Sequence, residues 1–106
     1  MTIYLSKHAI ERLSERVKKM SITEMVELAK EALDKGKVSI NFYDSDPMLF
    51  DYMLHKQNKH QGKLLKLYND ILYVFTSDQK VLITCYPLES WGYDKYKLNR
   101  AKKLKK

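Results

Sequence analysis

The chain carries one cysteine, three glycines and two prolines in 106 residues. A single cysteine excludes an internal disulfide framework and any zinc site built from cysteine pairs. Cys85 lies inside an apolar run and reads as a buried small hydrophobe rather than a redox centre. With glycine only at Gly36, Gly62 and Gly92, no glycine-rich phosphate loop can be assembled, and no serine stands in a GxSxG context. No apolar run reaches membrane-spanning length, and Met1-Thr-Ile-Tyr-Leu-Ser-Lys7 lacks the basic region and apolar segment of a signal peptide. The expectation is a cytoplasmic protein without membrane contact. His55 and His60 are five apart in a polar segment and do not fit metal-ligand spacing, so neither a metal nor a cofactor is expected.

What is present is enough for one modest core. The sequence is 44% hydrophobic and 11% aromatic, a globular rather than a disordered composition. Charge is unevenly placed: residues 1–94 hold all 13 acids and 13 of the 20 lysines and arginines, so the formal excess of +7 sits in residues 95–106. A single domain over 1–94 with a basic C-terminal tail over 95–106 follows. Lys95, Lys97, Arg100, Lys102 and Lys103 of that tail suit nucleic acid or another anionic surface, and equally suit a segment that only adds solubility.

The periodicities predict an α+β fold. In His8-Ala-Ile-Glu-Arg12-Leu-Ser-Glu-Arg16-Val17, a helical wheel puts Ala9, Ile10, Leu13 and Val17 on one side and His8 and Arg12 nearly opposite. Ser21-Ile-Thr-Glu24 is a capping box that starts a second helix, and Gly36 is expected to end it in the left-handed conformation. Val38-Ser-Ile40-Asn-Phe42 alternates with period two and predicts a first strand. Asp46 and Pro47 then open a short inserted helix to about Asn58, followed by a polar, exposed connection from Lys56 to Gly62. Strands are expected at about 64–68, 71–76 and 81–87, with turns at Asn69-Asp70 and around 77–80. The whole is expected to be two N-terminal helices packed on a four-stranded antiparallel sheet.

With each turn at its centre, one sheet face carries Leu65, Leu67, Leu72, Val74, Val81, Ile83 and Cys85, and is taken as the side that the helices cover. The other carries Lys66, Tyr68, Tyr73, Phe75, Leu82, Thr84 and Tyr86. Lys66, Tyr68 and Tyr73 on an open face would stack bases and meet phosphate; the third helix or the tail covering them is the competing reading.

Histidine and arginine at i, i+4 and i+8 are the residues that metal-free RNA cleavage uses. An imidazole serves as general acid or base, and guanidiniums meet the charge on phosphorus. Glu11 and Glu15 lie within helical reach of both arginines, so a solvated ion-pair face is the alternative. Ser6-Lys-His8-Ala9-Ile-Glu-Arg12-Leu-Ser-Glu-Arg16, Glu27 to Gly36, Leu72-Tyr-Val-Phe and Val81-Leu-Ile-Thr84-Cys-Tyr86-Pro together resemble a family of small bacterial and phage proteins. That family shares a His-Ala-x-x-Arg-x-x-x-Arg first helix and is similar in fold to RelE-like and colicin-D-like ribonucleases. The resemblance spans residues 6–36 and 71–87 and implies His8, Arg12, Arg16 and Thr84 as site residues of an RNA-directed, toxin-like nuclease; the residues themselves offer Tyr86 of the last strand as an alternative to Thr84. RelE-like toxins place their working basic residues mainly on the open sheet face, where this sequence offers chiefly Lys66 and tyrosines. The expected partners are RNA and a protein such as an antitoxin or host target. The rival function is a non-catalytic phage or bacterial accessory protein that blocks a host protein or nucleic-acid complex.

Overall fold

The computed structural model of the protein describes residues 3–16, without the side chain of Arg16, and residues 20–88. Trp91, Tyr93 and the whole basic tail lie outside the described residues. In chain order the elements are β1 (Tyr4–Leu5), α1 (Lys7–Arg16), α2 (Ile22–Lys35), a 3-10 turn (Ser39–Phe42), α3 (Pro47–Lys59), β2 (Lys63–Tyr68), β3 (Ile71–Thr76) and β4 (Val81–Pro87). The four strands form one sheet in the order β1-β4-β3-β2.

Helix boundaries follow local chemistry. Ser21 Oγ accepts from the Glu24 amide at 3.2 Å while Glu24 accepts from the Ser21 amide at 3.0 Å, the reciprocal pairing expected of a capping box. Asp46 accepts from the Leu49 amide at 3.1 Å, with Pro47 opening α3. Gly36 ends α2, but in extended backbone (φ −65°, ψ 156°) rather than the left-handed conformation. Space, not a left-handed φ, is what requires glycine: a Cβ there would sit 2.3 Å from the Ala32 carbonyl oxygen and 3.0 Å from Lys66 Cβ. Glycine lets the end of α2 press against β2.

The segment 38–42 is not a strand. The Asn41 side chain accepts from the Val38 amide at 2.9 Å and the Asn41 amide donates to the Val38 carbonyl at 3.0 Å, closing a local turn that competes with a ladder. Only Lys37 pairs, through a single bridge to Leu67. The fourth strand comes instead from Tyr4 and Leu5, which run parallel to β4 opposite Val81 and Leu82. The sheet is therefore mixed, not purely antiparallel.

Both sheet faces are covered. Ala9 and Leu13 of α1 and Met25, Ala29 and Ala32 of α2 pack on Tyr73, Phe75, Leu82 and Cys85. On the far side Leu49, Tyr52 and Met53 of α3 pack on Leu65, Leu67, Leu72 and Val74. The two N-terminal helices thus cover the face expected to be open, and α3 covers the face expected to lie under those helices. The parity of β4 also changes. Tyr73 faces Cys85 and Val74 faces Thr84, yet Phe75 faces Leu82, so Ile83 is an extra residue, a β-bulge. Cys85 is thereby placed with Tyr73 beneath α1 and α2, while Thr84 and Tyr86 turn toward α3.

The bulge is tied to the start of α1. Ser6 Oγ donates to the Ile83 carbonyl at 2.6 Å and accepts from the Ala9 amide at 3.0 Å. One hydroxyl caps the helix and anchors it to the irregular point of β4.

Candidate nucleic-acid interface

Burying Ala9 and Leu13 fixes the rotation of α1 and leaves His8 exposed on its outer surface, with Arg12 half-buried beside it. Arg12 Nε donates to His8 Nε2 at 3.3 Å, and Arg12 Nη1 lies 3.5 Å from Glu15 Oε2. Two contacts hold the Arg12 guanidinium. The imidazole accepts from the guanidinium, and a carboxylate one turn on pairs with it. An exposed ion pair of this kind is worth about 0–1 kcal/mol, so a phosphate competing for the same guanidinium displaces Glu15 at little cost. What the pair offers chemically is one guanidinium for a phosphate oxygen and one imidazole within reach of the same group.

The remaining expected site residues do not join them. Thr84 is 2% exposed and lies on the α3 side of the sheet opposite Val74, with β4 and α1 between it and His8. Tyr86 is on that same far side, half-buried, its ring 6.3 Å from that of His60. Thr84 Oγ1 has no hydrogen-bond partner among the described residues. The cause is the bulge at Ile83, which reverses which side chains of β4 face α1. Arg16 continues α1, but its side chain lies outside the described residues, as do Lys95, Lys97, Arg100, Lys102 and Lys103.

The base-stacking surface expected from Lys66, Tyr68 and Tyr73 is also closed. Tyr73 is fully buried beneath α1 and α2, and burial, with Cys85 next, pushes its phenol well above the ordinary tyrosine range. Its hydroxyl has no partner among the described residues. Tyr68 is half-buried and donates to Glu31 Oε2 of α2 at 3.3 Å, and Lys66 is half-buried against Gly36.

A second group of cations was missed from sequence. Lys56, Lys59, His60 and Lys63 gather where α3 ends and β2 begins. Far from lying in an exposed connection, Lys56 is 7% exposed, its ammonium 5.5 Å from the centre of the Tyr52 ring. Burial, then Lys59, lowers its pKa; burial, then Lys56, Lys59 and Lys63, lowers that of His60. The available signal was the spacing i, i+3, i+4 and i+7, which brings four residues to one side of a helix and its exit. Among the described residues no three His, Cys, Asp or Glu side chains are placed to hold a metal ion, and no helix is long and apolar enough to cross a membrane. Comparison with protein-family models, with curated proteins and with solved structures gives no match to this chain.

Proposed function

We propose that the protein is directed to RNA and contacts its backbone through the outer surface of α1, His8 and Arg12 meeting one phosphate. The observation that carries this reading is the 3.3 Å contact between the two side chains on an otherwise solvated helix face. The resemblance of residues 6–36 to a family of small bacterial and phage proteins similar in fold to RelE-like ribonucleases supports it, and the concentration of +7 in residues 95–106 supplies the sequence-independent attraction. Arg12 holds the phosphate oxygens, Glu15 is displaced, and the tail adds non-specific affinity.

Of the two versions of this function, a metal-independent endoribonuclease and a binder that blocks its target, the geometry favours the binder. Cleavage needs a base, an acid and charge stabilisation around one phosphate. Thr84 and Tyr86, which the nuclease would add, point away from α1, and α3 covers the sheet face on which they stand.

The test uses the wild type, His8→Ala and Arg12→Ala, purified identically, with a labelled single-stranded RNA in EDTA. Binding is followed by anisotropy and cleavage by the appearance of 2′,3′-cyclic phosphate ends. The expected result is binding weakened in both variants, with no cleavage by any of the three. Cleavage lost in both variants restores the nuclease. Binding unchanged in both removes α1 from the interface.

A further inference from the structure

Where the end of α2 meets β2, the fold leaves a groove of about 490 Å³. The nearly buried Leu49 and Leu67, with the half-buried Phe42, give it an apolar floor, and Lys35, Lys37 and Asp70 bring charge to its walls. β2 is the last strand of the sheet, so the groove lies at the edge away from β4, on which α1 packs.

Two of the charged residues are fixed by backbone bonds that leave their side chains unused. Lys37 is bridged to Leu67, its amide donating to the Leu67 carbonyl at 2.9 Å and its carbonyl accepting from the Leu67 amide at 2.8 Å. Asp70 belongs to the turn between β2 and β3, and its carbonyl accepts from the Leu88 amide at 3.1 Å. Counted along β2 from Leu67 to the turn, the two residues stand roughly 7–10 Å apart. Among the described residues no hydrogen bond or ion pair uses the Lys37 ammonium or the Asp70 carboxylate, and these opposite charges do not pair with each other. Lys35 meets Glu31 Oε1 at 3.8 Å, an exposed contact that a better anion displaces at little cost.

The turn itself does not explain Asp70. Asn69 and Asp70, at φ 50° and 62°, are the two left-handed residues of a two-residue hairpin turn, whose second position glycine fills at least steric cost. An exposed carboxylate stands there instead. An apolar floor between cations and an acceptor-only carboxylate suits a flat ring that carries an anion on one side and two parallel N–H donors on the other. Among the RNA bases guanine alone presents that pair, N1–H and the 2-amino group, and its nucleotide supplies the anion.

We propose that this groove takes one guanosine of single-stranded RNA. Asp70 accepts from guanine N1–H and the 2-amino group, the ring lies against Phe42, and a phosphate meets Lys35 and Lys37. Lys35, Lys37 and Asp70 are all exposed, so an RNA strand can run on past the groove. The site rests on the reading that the protein is directed to RNA, and not on the part given to α1.

The experiment follows by anisotropy the binding of the full chain to two labelled RNA octamers at equal ionic strength, one of uridine alone and one with a single central guanosine. Both present the same phosphates to α1 and to the tail, so the difference in affinity belongs to the base. The guanosine octamer is expected to bind about tenfold more tightly. Asp70→Gly is expected to bring the two octamers to equal affinity with no loss of stability in urea, because glycine suits the turn. Lys37→Ala is expected to weaken both octamers and to flatten the salt slope by about 0.7. Equal binding of the two octamers by the wild type, or a preference that survives Asp70→Gly, overturns the guanosine site and leaves the RNA reading standing. Saturable binding of GMP beside equal binding of the octamers overturns RNA as the occupant in favour of a free nucleotide. No binding of either octamer overturns the RNA reading and this site with it.

Discussion

Replacing Ser6 by alanine removes one hydroxyl with two structural duties. Losing the helix cap to the Ala9 amide costs about 1 kcal/mol. Losing the bond to the Ile83 carbonyl costs about 1 kcal/mol more, because that oxygen is partly buried and water replaces the donor only in part. The sum, about 2 kcal/mol, is a large share of the stability of a domain this size. With a urea m-value of about 2 kcal/mol/M, the unfolding midpoint is expected to fall by roughly 1 M at constant m. Ser6→Thr keeps a hydroxyl for both bonds and is expected to stay within about 0.5 kcal/mol of the wild type. Urea titration followed by circular dichroism reads the global cost, and hydrogen exchange at the Ala9 amide reads the local one. An alanine variant within about 0.5 kcal/mol of the wild type, or a threonine variant as unstable as alanine, refutes the two-bond account.

Thr84→Val and Tyr73→Phe each remove a buried hydroxyl without a hydrogen-bond partner among the described residues, and each is expected to stabilise the protein by about 1 kcal/mol in urea unfolding. Thr84→Val is also expected to leave RNA affinity unchanged, whereas a lost function would return Thr84 to the site. Asp78 accepts from the Thr76 hydroxyl and then the Lys80 amide, which hold its pKa below the ordinary value of 3.8. Its folded-state pKa is depressed, so the turn's contribution is fully present above the unfolded value and is lost as pH falls through the folded one. A carboxylate NMR titration of Asp78 with its midpoint below 3.8 checks this. Truncation after Tyr93 removes the seven cations of the tail and is expected to weaken RNA binding and to flatten its salt dependence by about 0.7 per lost phosphate contact. An unchanged salt slope removes the tail from the interface.

Much of the fold was legible where one residue type has one physical use. The capping box at Ser21 and Glu24, the Asp46-Pro47 start of α3 and the Asn69-Asp70 turn, at φ 50° and 62°, all stand where the sequence placed them. The three strands from Lys63 to Pro87 do too. The bulge was not legible. Val81-Leu-Ile-Thr-Cys-Tyr86 is strand-forming throughout, and no glycine or charge marks Ile83 as the extra residue. One uncounted residue was enough to send Thr84 and Tyr86 to the wrong face. Segment 38–42 misled in the opposite sense, since its alternation is real but the Asn41 side chain closes a turn first. In the candidate site, the rotation of α1 was readable from Ala9 and Leu13, which is why His8 and Arg12 stand together as expected. The cluster around His60 was overlooked because its lysines were read along the chain as polar connection and not around a helix.

The bond between Ser6 and the Ile83 carbonyl spans 77 residues of sequence, and β1 reaches β4 across a similar distance. At a synthesis rate of about 5–20 residues per second, the N-terminal segment waits roughly 4–15 s for the strand it pairs with to be made. Through that interval α1 has neither its anchor nor the Leu82 and Cys85 surface beneath it. The His8 and Arg12 surface is therefore translated well before the strand that α1 docks on. A chain cut short before β4 therefore carries a first helix without the strand that anchors it, and the surface that bears His8 and Arg12 takes its place in the fold only once β4 has been made.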